Sequence, residues 1–109
     1  MDEKMNIPPY IMKQIIANTL YDRKNELVQK AQLANQQARK TNTDINTVKN
    51  YIETAMSTQE MATQIRIGNI PLDQCIAELT PNEKKIVYHK CEEWFQQNHG
   101  KQLEEKDRE

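Results

Sequence analysis

Hydrophobic positions along this chain recur at helical spacing, not in the alternating pattern of a strand. Near the N-terminus they form an apolar stripe of Ile11, Ile15, Ile16 and Leu20. Pro8 and Pro9 just before it fit the first turn of a helix, where a missing N–H costs nothing. No glycine or proline interrupts residues 10–67. Because those residues usually end helices, the pattern predicts an all-α chain.

A second apolar pattern, with spacings of four and three residues, runs through the middle of the chain. This heptad seam consists of Leu27, Ala31, Ala34, Ala38, Thr41, Ile45, Val48, Ile52 and Ala55. Its first half is mostly alanine, which lets helices approach closely but buries little area. Glutamine and asparagine residues flank the seam, at the positions where a long parallel coiled coil carries oppositely charged pairs.

The seam is compatible with two geometries. One straight helix over residues 10–67 would be about 87 Å long and would suit an elongated dimer. A helical hairpin would instead bend at residues 41–44, whose polar side chains compete for backbone hydrogen bonds. Asn42, Thr43 or Asp44 would then cap the second helix. The pattern favours the hairpin, although no glycine closes the first helix.

The C-terminal part begins with a break at residues 68–71, which include Gly68 and Pro71. A short amphipathic helix is predicted over residues 72–79. Residues 80–83 then form a capping box with proline at its first helical position, and we expect the helix they open to end near Gly100. A weaker match at residues 57–60 indicates a further helix start. The resulting fold is a small all-α domain, a long helix or hairpin with a C-terminal helix folding back. We expect a single domain over residues 1–100 and a charged, disordered or frayed tail over residues 101–109.

Composition narrows the class of protein. Hydrophobic residues make up 37% of the 109-residue chain and aromatic residues 6%, so the core is thin. A net charge of −1 gives no global attraction for polyanions. From the hydrophobic pattern we expect neither a signal peptide nor a membrane span, and the two cysteines suit a reducing compartment. We therefore expect a cytoplasmic protein without membrane association, and the Asn-, Lys- and Ile-rich composition favours a phage or low-GC bacterial origin.

No residue constellation indicates catalysis or a cofactor. His89 and Cys91 lie two residues apart on a predicted helix and so point in different directions, which argues against a metal site with Cys75 and His99. Both cysteines fall on apolar helix faces, where a thiol behaves as a small hydrophobe. We expect no enzyme, no metal and no cofactor.

Basic residues give a nucleic-acid hypothesis, carried by Arg23, Lys24, Arg39, Lys40 and Lys49. Acidic neighbours dilute this set, and a solvated polar face is the favoured interpretation of it. A helix-turn-helix over residues 58–75 is a disfavoured alternative, because Pro71 would fall in the recognition helix.

The leading hypothesis is a small protein-binding adaptor, inhibitor or assembly factor, because the pattern indicates no catalytic constellation, cofactor loop or membrane segment and predicts more amphipathic helix surface than so thin a core needs. Its candidate partner-binding residues are Tyr88, Trp94, Phe95, Tyr10 and Met12. For Tyr88, Trp94 and Phe95 the favoured interpretation is that they fill the core against the N-terminal stripe, whereas Tyr10 and Met12 belong to a second possible surface on that stripe. The alternatives for the function are a nucleic-acid-binding regulator and a self-assembling helical protein, such as a homodimer built on the heptad seam.

Overall fold

The computed structural model describes the backbone of residues 7–41 and 45–108 and the side chains of residues 7–39 and 45–98. Within these ranges the chain forms four helices and no strand: α1 (Pro9–Thr41), α2 (Asn46–Ile67), α3 (Leu72–Ala77) and α4 (Pro81–Arg108). The all-α class predicted from the hydrophobic spacing is confirmed, as is a C-terminal helix that folds back.

The first two helices form an antiparallel hairpin. The chain reverses between Thr41 and Asn46, and α1 makes its most extensive contacts with α2. A hydrogen bond of 2.9 Å joins the Tyr21 hydroxyl to Thr63 Oγ1 and fixes the register of the pair. The hairpin is therefore confirmed over the rod. The capping candidates at residues 42–44 lie outside the described residues.

The alanine seam packs the two arms of the hairpin against each other. Ala31 and Ala38 of α1 are buried, as are Val48 and Ala55 of α2. Of the four seam positions predicted beyond the turn, Val48 and Ala55 are confirmed, but Ile45 and Ile52 are wrong, since their side chains are 61% and 44% exposed. The physical reason is that the chain reverses before α2. The face of α2 that packs against α1 therefore depends on the turn and does not continue the repeat of α1. The seam of α2 instead continues from Ala55 through Thr58, Ala62 and Ile65.

The break after α2 is confirmed and has the geometry of a Schellman motif. Gly68 has a φ of +98°, a left-handed conformation that glycine adopts without strain. The Gly68 N–H donates to the Ile65 carbonyl at 3.0 Å, and the Asn69 N–H donates to the Gln64 carbonyl at 3.0 Å. The helix start predicted at residues 57–60 is wrong, because α2 runs through them and Thr58 Oγ1 donates to the Thr54 carbonyl at 2.8 Å instead.

The capping box that opens α4 is confirmed in both directions. The Glu83 N–H donates to Thr80 Oγ1 at 3.2 Å, and the Thr80 N–H donates to Glu83 Oε1 at 2.9 Å. The predicted end at Gly100 is wrong, since α4 continues to Arg108. A glycine inside a helix costs only about 1 kcal/mol, and most of the residues that follow it are good helix formers. The domain limits at residues 1–100 and the disordered tail stay predictions.

The hydrophobic core lies at one end of the hairpin. Its largest fully buried side chains are Ile16, Leu20, Ile65 and Cys75, and the cluster also takes in Val87 and Cys91 of α4. All of its members come from residues 7–21 or 61–95. We call this end the head and the hairpin over residues 22–60 the stem. The molecule is elongated, with principal extents of 69 × 25 × 22 Å.

Candidate functional site

An apolar groove of about 210 Å³ lies on the surface of the head, where α1, α3 and α4 meet. We call it the head groove. It is lined by Met12, Ile16, Ile76, Leu79, Lys84, Val87, Tyr88 and Cys91. Lys84 is the single charged residue among these, so the surface offered to a ligand is almost entirely apolar.

The head groove has a buried floor and an exposed rim. Ile16, Leu79 and Val87 form the floor and belong to the core cluster. Ile76 of α3 is 39% exposed and Tyr88 of α4 is 47% exposed, and these two form the rim. Lys84 and Tyr88 are four residues apart on α4, so they share one helix face.

The structure brings two of the five partner-binding candidates together, because Met12 and Tyr88 both line the head groove. Trp94 and Phe95 are partly buried and pack against the core cluster, as the favoured interpretation of the sequence predicts. Tyr10 is exposed and lies elsewhere, beside Ile67 at the open end of the hairpin.

The sequence did not single out the other six lining residues of the head groove as partner-binding candidates, and Ile76 on the rim and Leu79 on the floor are two of them. Both belong to the apolar face noted over residues 72–79. That amphipathic pattern was the available signal, but it does not reveal that α3 packs against α1.

A polar site joins α1 to the start of α4. Arg23 Nε donates to Glu83 Oε2 at 2.8 Å, and Arg23 Nη2 donates both to Glu83 Oε1 and, at 2.8 Å, to the Glu78 carbonyl. Burial raises the pKa of Glu83, but hydrogen bonds from Arg23 and Thr80 outweigh it and the net pKa is lowered. The same hydrogen bond to Glu83 raises the pKa of Arg23. The Arg23 side chain therefore links α1 to the start of α4.

The other nucleic-acid candidates do not gather around Arg23. Lys24 is half-buried on α1, while Arg39 and Lys49 are exposed on the two arms of the stem near the turn. The side chain of Lys40 lies outside the described residues. The structure therefore gives no single basic cluster formed by all of them.

The two cysteines are free thiols buried in the head. Burial raises the pKa of Cys91, and burial, partly opposed by the charge of Lys13, raises the pKa of Cys75. Both thiols are therefore protonated near neutral pH and are weak nucleophiles. Among the described residues, no group of three or more histidine, cysteine or acidic side chains could hold a metal ion.

No helix in the described part of the chain combines the length and the apolar character needed to cross a membrane. No protein-family model, curated protein or solved structure matches this chain.

Proposed function

We propose that this chain is a small non-enzymatic protein-binding module whose head groove receives apolar side chains from a helical segment of a larger protein. The observation that carries the proposal is the head groove itself, with its buried floor and with Ile76 and Tyr88 exposed on its rim. Tyrosine is enriched among the residues that dominate binding energy at protein interfaces. Apolar surface that stays in contact with water is stabilised when a partner covers it.

The size and charge of the head groove favour this occupant. Small-molecule and cofactor pockets usually measure about 300–1,000 Å³, which is larger than this groove. A volume of about 210 Å³ suits one or two large apolar side chains. Lys84 is the single charge in the lining, so a partner segment with a carboxylate next to its apolar anchors would complement it.

The non-enzymatic part of the proposal rests on the chemistry of the reactive side chains in the head. The buried thiols have raised pKa values, and the Glu83 carboxylate is held by Arg23 and by the cap of α4. A binding role fits an adaptor, an inhibitor or an assembly factor. If the chain is phage-encoded, as its composition favours, a host protein would be the target.

The test is affinity capture from a lysate of the source organism, or of its host if the chain is viral. The tagged chain is compared with Ile76→Asp, which places a charge on the groove rim. The matched control is Ile86→Asp, since Ile86 is 45% exposed on α4 and lines a different pocket. We expect one protein to be retained by the wild type and Ile86→Asp after nuclease treatment and at high salt, and to be lost with Ile76→Asp.

Three outcomes would contradict the proposal. Loss of all captured material on nuclease treatment would favour the nucleic-acid-binding regulator. Equal capture by Ile76→Asp and Ile86→Asp would remove the head groove from the interaction. Recovery of the bait alone, as an oligomer, would favour self-assembly.

A further inference from the structure

A pocket of about 370 Å³ lies at the open end of the hairpin, between the first turns of α1 and the last turn of α2. We call it the end pocket. Its lining comprises Pro9, Tyr10, Lys13 and Gln14 of α1 and residues 65–68 at the end of α2. The end pocket shares no lining residue with the head groove, so a ligand bound there does not depend on the proposed function.

The two charged residues of the end pocket are both cations. Lys13 is partly buried and Arg66 is exposed. In the described part of the chain, neither side chain forms a hydrogen bond or an ion pair with another residue. Burying a charge is costly unless an opposite charge or a hydrogen-bond partner accompanies it. The end pocket therefore favours a ligand with negative charge.

Neighbouring carboxylates offset this positive charge only in part. The described helix residues three or four positions from a cation are Pro9, Tyr10, Ile16 and Ala17 for Lys13, and Ala62 and Thr63 for Arg66. None of these is acidic. Besides burial, the charges of Lys13 and Asp73 act on the pKa of the Cys75 thiol in opposite directions, so Asp73 is also close to that thiol. The Asp73 carboxylate, however, accepts the Gln74 N–H at 3.0 Å, lies outside the lining and forms no ion pair with Lys13.

Two helix ends with opposite partial charges border the end pocket. The first turn of α1 carries a partial positive charge and the last turn of α2 a partial negative one. Two carbonyls of that last part of α2 already accept the N–H groups of Gly68 and Asn69. Since the two helix ends oppose each other, the charge of the pocket is determined mainly by Lys13 and Arg66.

The remainder of the lining includes flat and aliphatic surface. The Tyr10 ring is 65% exposed and the Ile67 side chain is 61% exposed. At Gly68 no atom lies within 4 Å of the position that a Cβ would occupy, so the backbone beside Ile67 is open. Nucleic-acid bases stack on exposed aromatic side chains of this kind. The combination fits a ligand with a flat ring at one end and an anion at the other.

We propose that the end pocket binds a nucleoside monophosphate, free or at the end of a single strand. Its phosphate contacts Lys13 and Arg66, and its base stacks on Tyr10. A phosphate monoester carries about −1.5 to −2 charges near neutral pH, which two cations balance, whereas a carboxylate would leave one cation unpaired. The volume of about 370 Å³ lies within the range of about 300–1,000 Å³ that is usual for small-molecule pockets.

The test is a titration of the isotope-labelled chain with each of the four common ribonucleoside monophosphates, followed by amide NMR. Adenosine lacks the phosphate, inorganic phosphate lacks the ring, and benzoate combines a ring with a single charge, so these three compounds separate the contributions. An RNA pentanucleotide with and without a terminal phosphate distinguishes a strand end from a free nucleotide.

The pocket variants are Lys13→Gln, Arg66→Gln and Tyr10→Leu. Lys24→Gln and Arg39→Gln are the matched controls, because Lys24 is partly buried like Lys13 and Arg39 is exposed like Arg66. Neither control residue lines the end pocket. The amide spectrum of each variant also reports whether it keeps the wild-type fold.

We expect at least one nucleotide to give saturable shifts at the amides of the end pocket and to bind more tightly than adenosine, inorganic phosphate or benzoate. Lys13→Gln and Arg66→Gln should each weaken binding about tenfold or more, whereas the controls should stay within about twofold of wild type. Tyr10→Leu should weaken nucleotide binding about fivefold or more and leave the binding of inorganic phosphate unchanged. Tighter binding of phosphorylated RNA, with the same dependence on the variants, would support the proposal and assign the ligand to a strand end.

Several results would overturn the proposal. One is the absence of saturable shifts with every nucleotide and with phosphorylated RNA. Equal weakening by the pocket variants and the controls would mean a general attraction of anions. Inorganic phosphate or benzoate that binds as tightly as the nucleotide would remove the base or the phosphate from recognition. RNA that binds equally well with and without its terminal phosphate would mean that the pocket does not recognise a phosphate monoester.

Discussion

Arg23 of α1 and Glu83 of α4 lie 60 positions apart in sequence and form a two-point ion pair between the two helices. The same carboxylate accepts the Thr80 N–H at the start of α4. One side chain therefore both caps α4 and attaches it to the hairpin. Because α4 forms one wall of the head groove, this pair also determines where Tyr88 and Lys84 lie.

We expect Arg23→Met to lower the free energy of unfolding by about 1–3 kcal/mol, since it leaves a half-buried carboxylate without its charged donor. Urea denaturation near neutral pH measures the change. Arg39→Met is the matched control, because Arg39 is exposed and has no described ion-pair partner. Equal stability losses in the two variants would mean that the pair does not hold α4 in place.

The same pair should make stability depend on pH. The pKa of Glu83 is lower in the folded chain than in the unfolded chain. Its contribution is therefore fully present above the unfolded pKa and is lost as the pH falls through the folded pKa. We expect wild type to be more stable than Glu83→Gln near neutral pH and the difference to shrink on acidification. A difference that stays constant with pH would contradict the assigned interaction.

Substitutions at Gly68 test the left-handed backbone conformation at the end of α2 separately from side-chain packing. No atom lies within 4 Å of the position that a Cβ would occupy there, so the cost of a side chain comes from its φ of +98°. We expect Gly68→Ala to destabilise the chain by about 1–2 kcal/mol, and Gly68→Asn to cost less because asparagine tolerates this conformation. Thermal unfolding of the two variants provides the comparison. Equal stability of Gly68→Ala and wild type would rule out the left-handed helix end.

The features that could be predicted from the sequence are those encoded by neighbouring residues. The capping box around Thr80 and the break at Gly68 each depend on a few consecutive positions, and both are confirmed. Tertiary relationships could not be predicted in this way. Arg23 is a nucleic-acid candidate in the sequence because it is basic. Its ion pair could not be foreseen, because its partner Glu83 lies far away in sequence.

The candidate site could be predicted only in part for the same reason. Met12 and Tyr88 were selected by residue type and do meet in the head groove. Ile76 was not selected, because its place on the rim follows from the packing of α3 on α1. Ile45 and Ile52 were assigned to the seam, and their exposure depends on how α2 is rotated after the turn.

The hairpin itself can be tested by a distance between spin labels introduced as unnatural amino acids at Gln29 and Ser57, which are exposed on α1 and α2. Paired helices have axes about 8–10 Å apart, and both labels project outward from the hairpin, so we expect a label separation of about 25–30 Å. A continuous helix would place the two positions about 42 Å apart. A distribution centred at the longer distance would favour the rod.

The claim that the head groove binds a protein is tested most directly by site-specific photo-crosslinking in cells of the source organism or host. A photoreactive phenylalanine analogue replaces Tyr88 on the groove rim or, as the control, Glu93 on another face of α4. We predict one protein adduct from position 88 that survives nuclease treatment and is absent from position 93. The same adducts from both positions, or none from position 88, would contradict the proposed function.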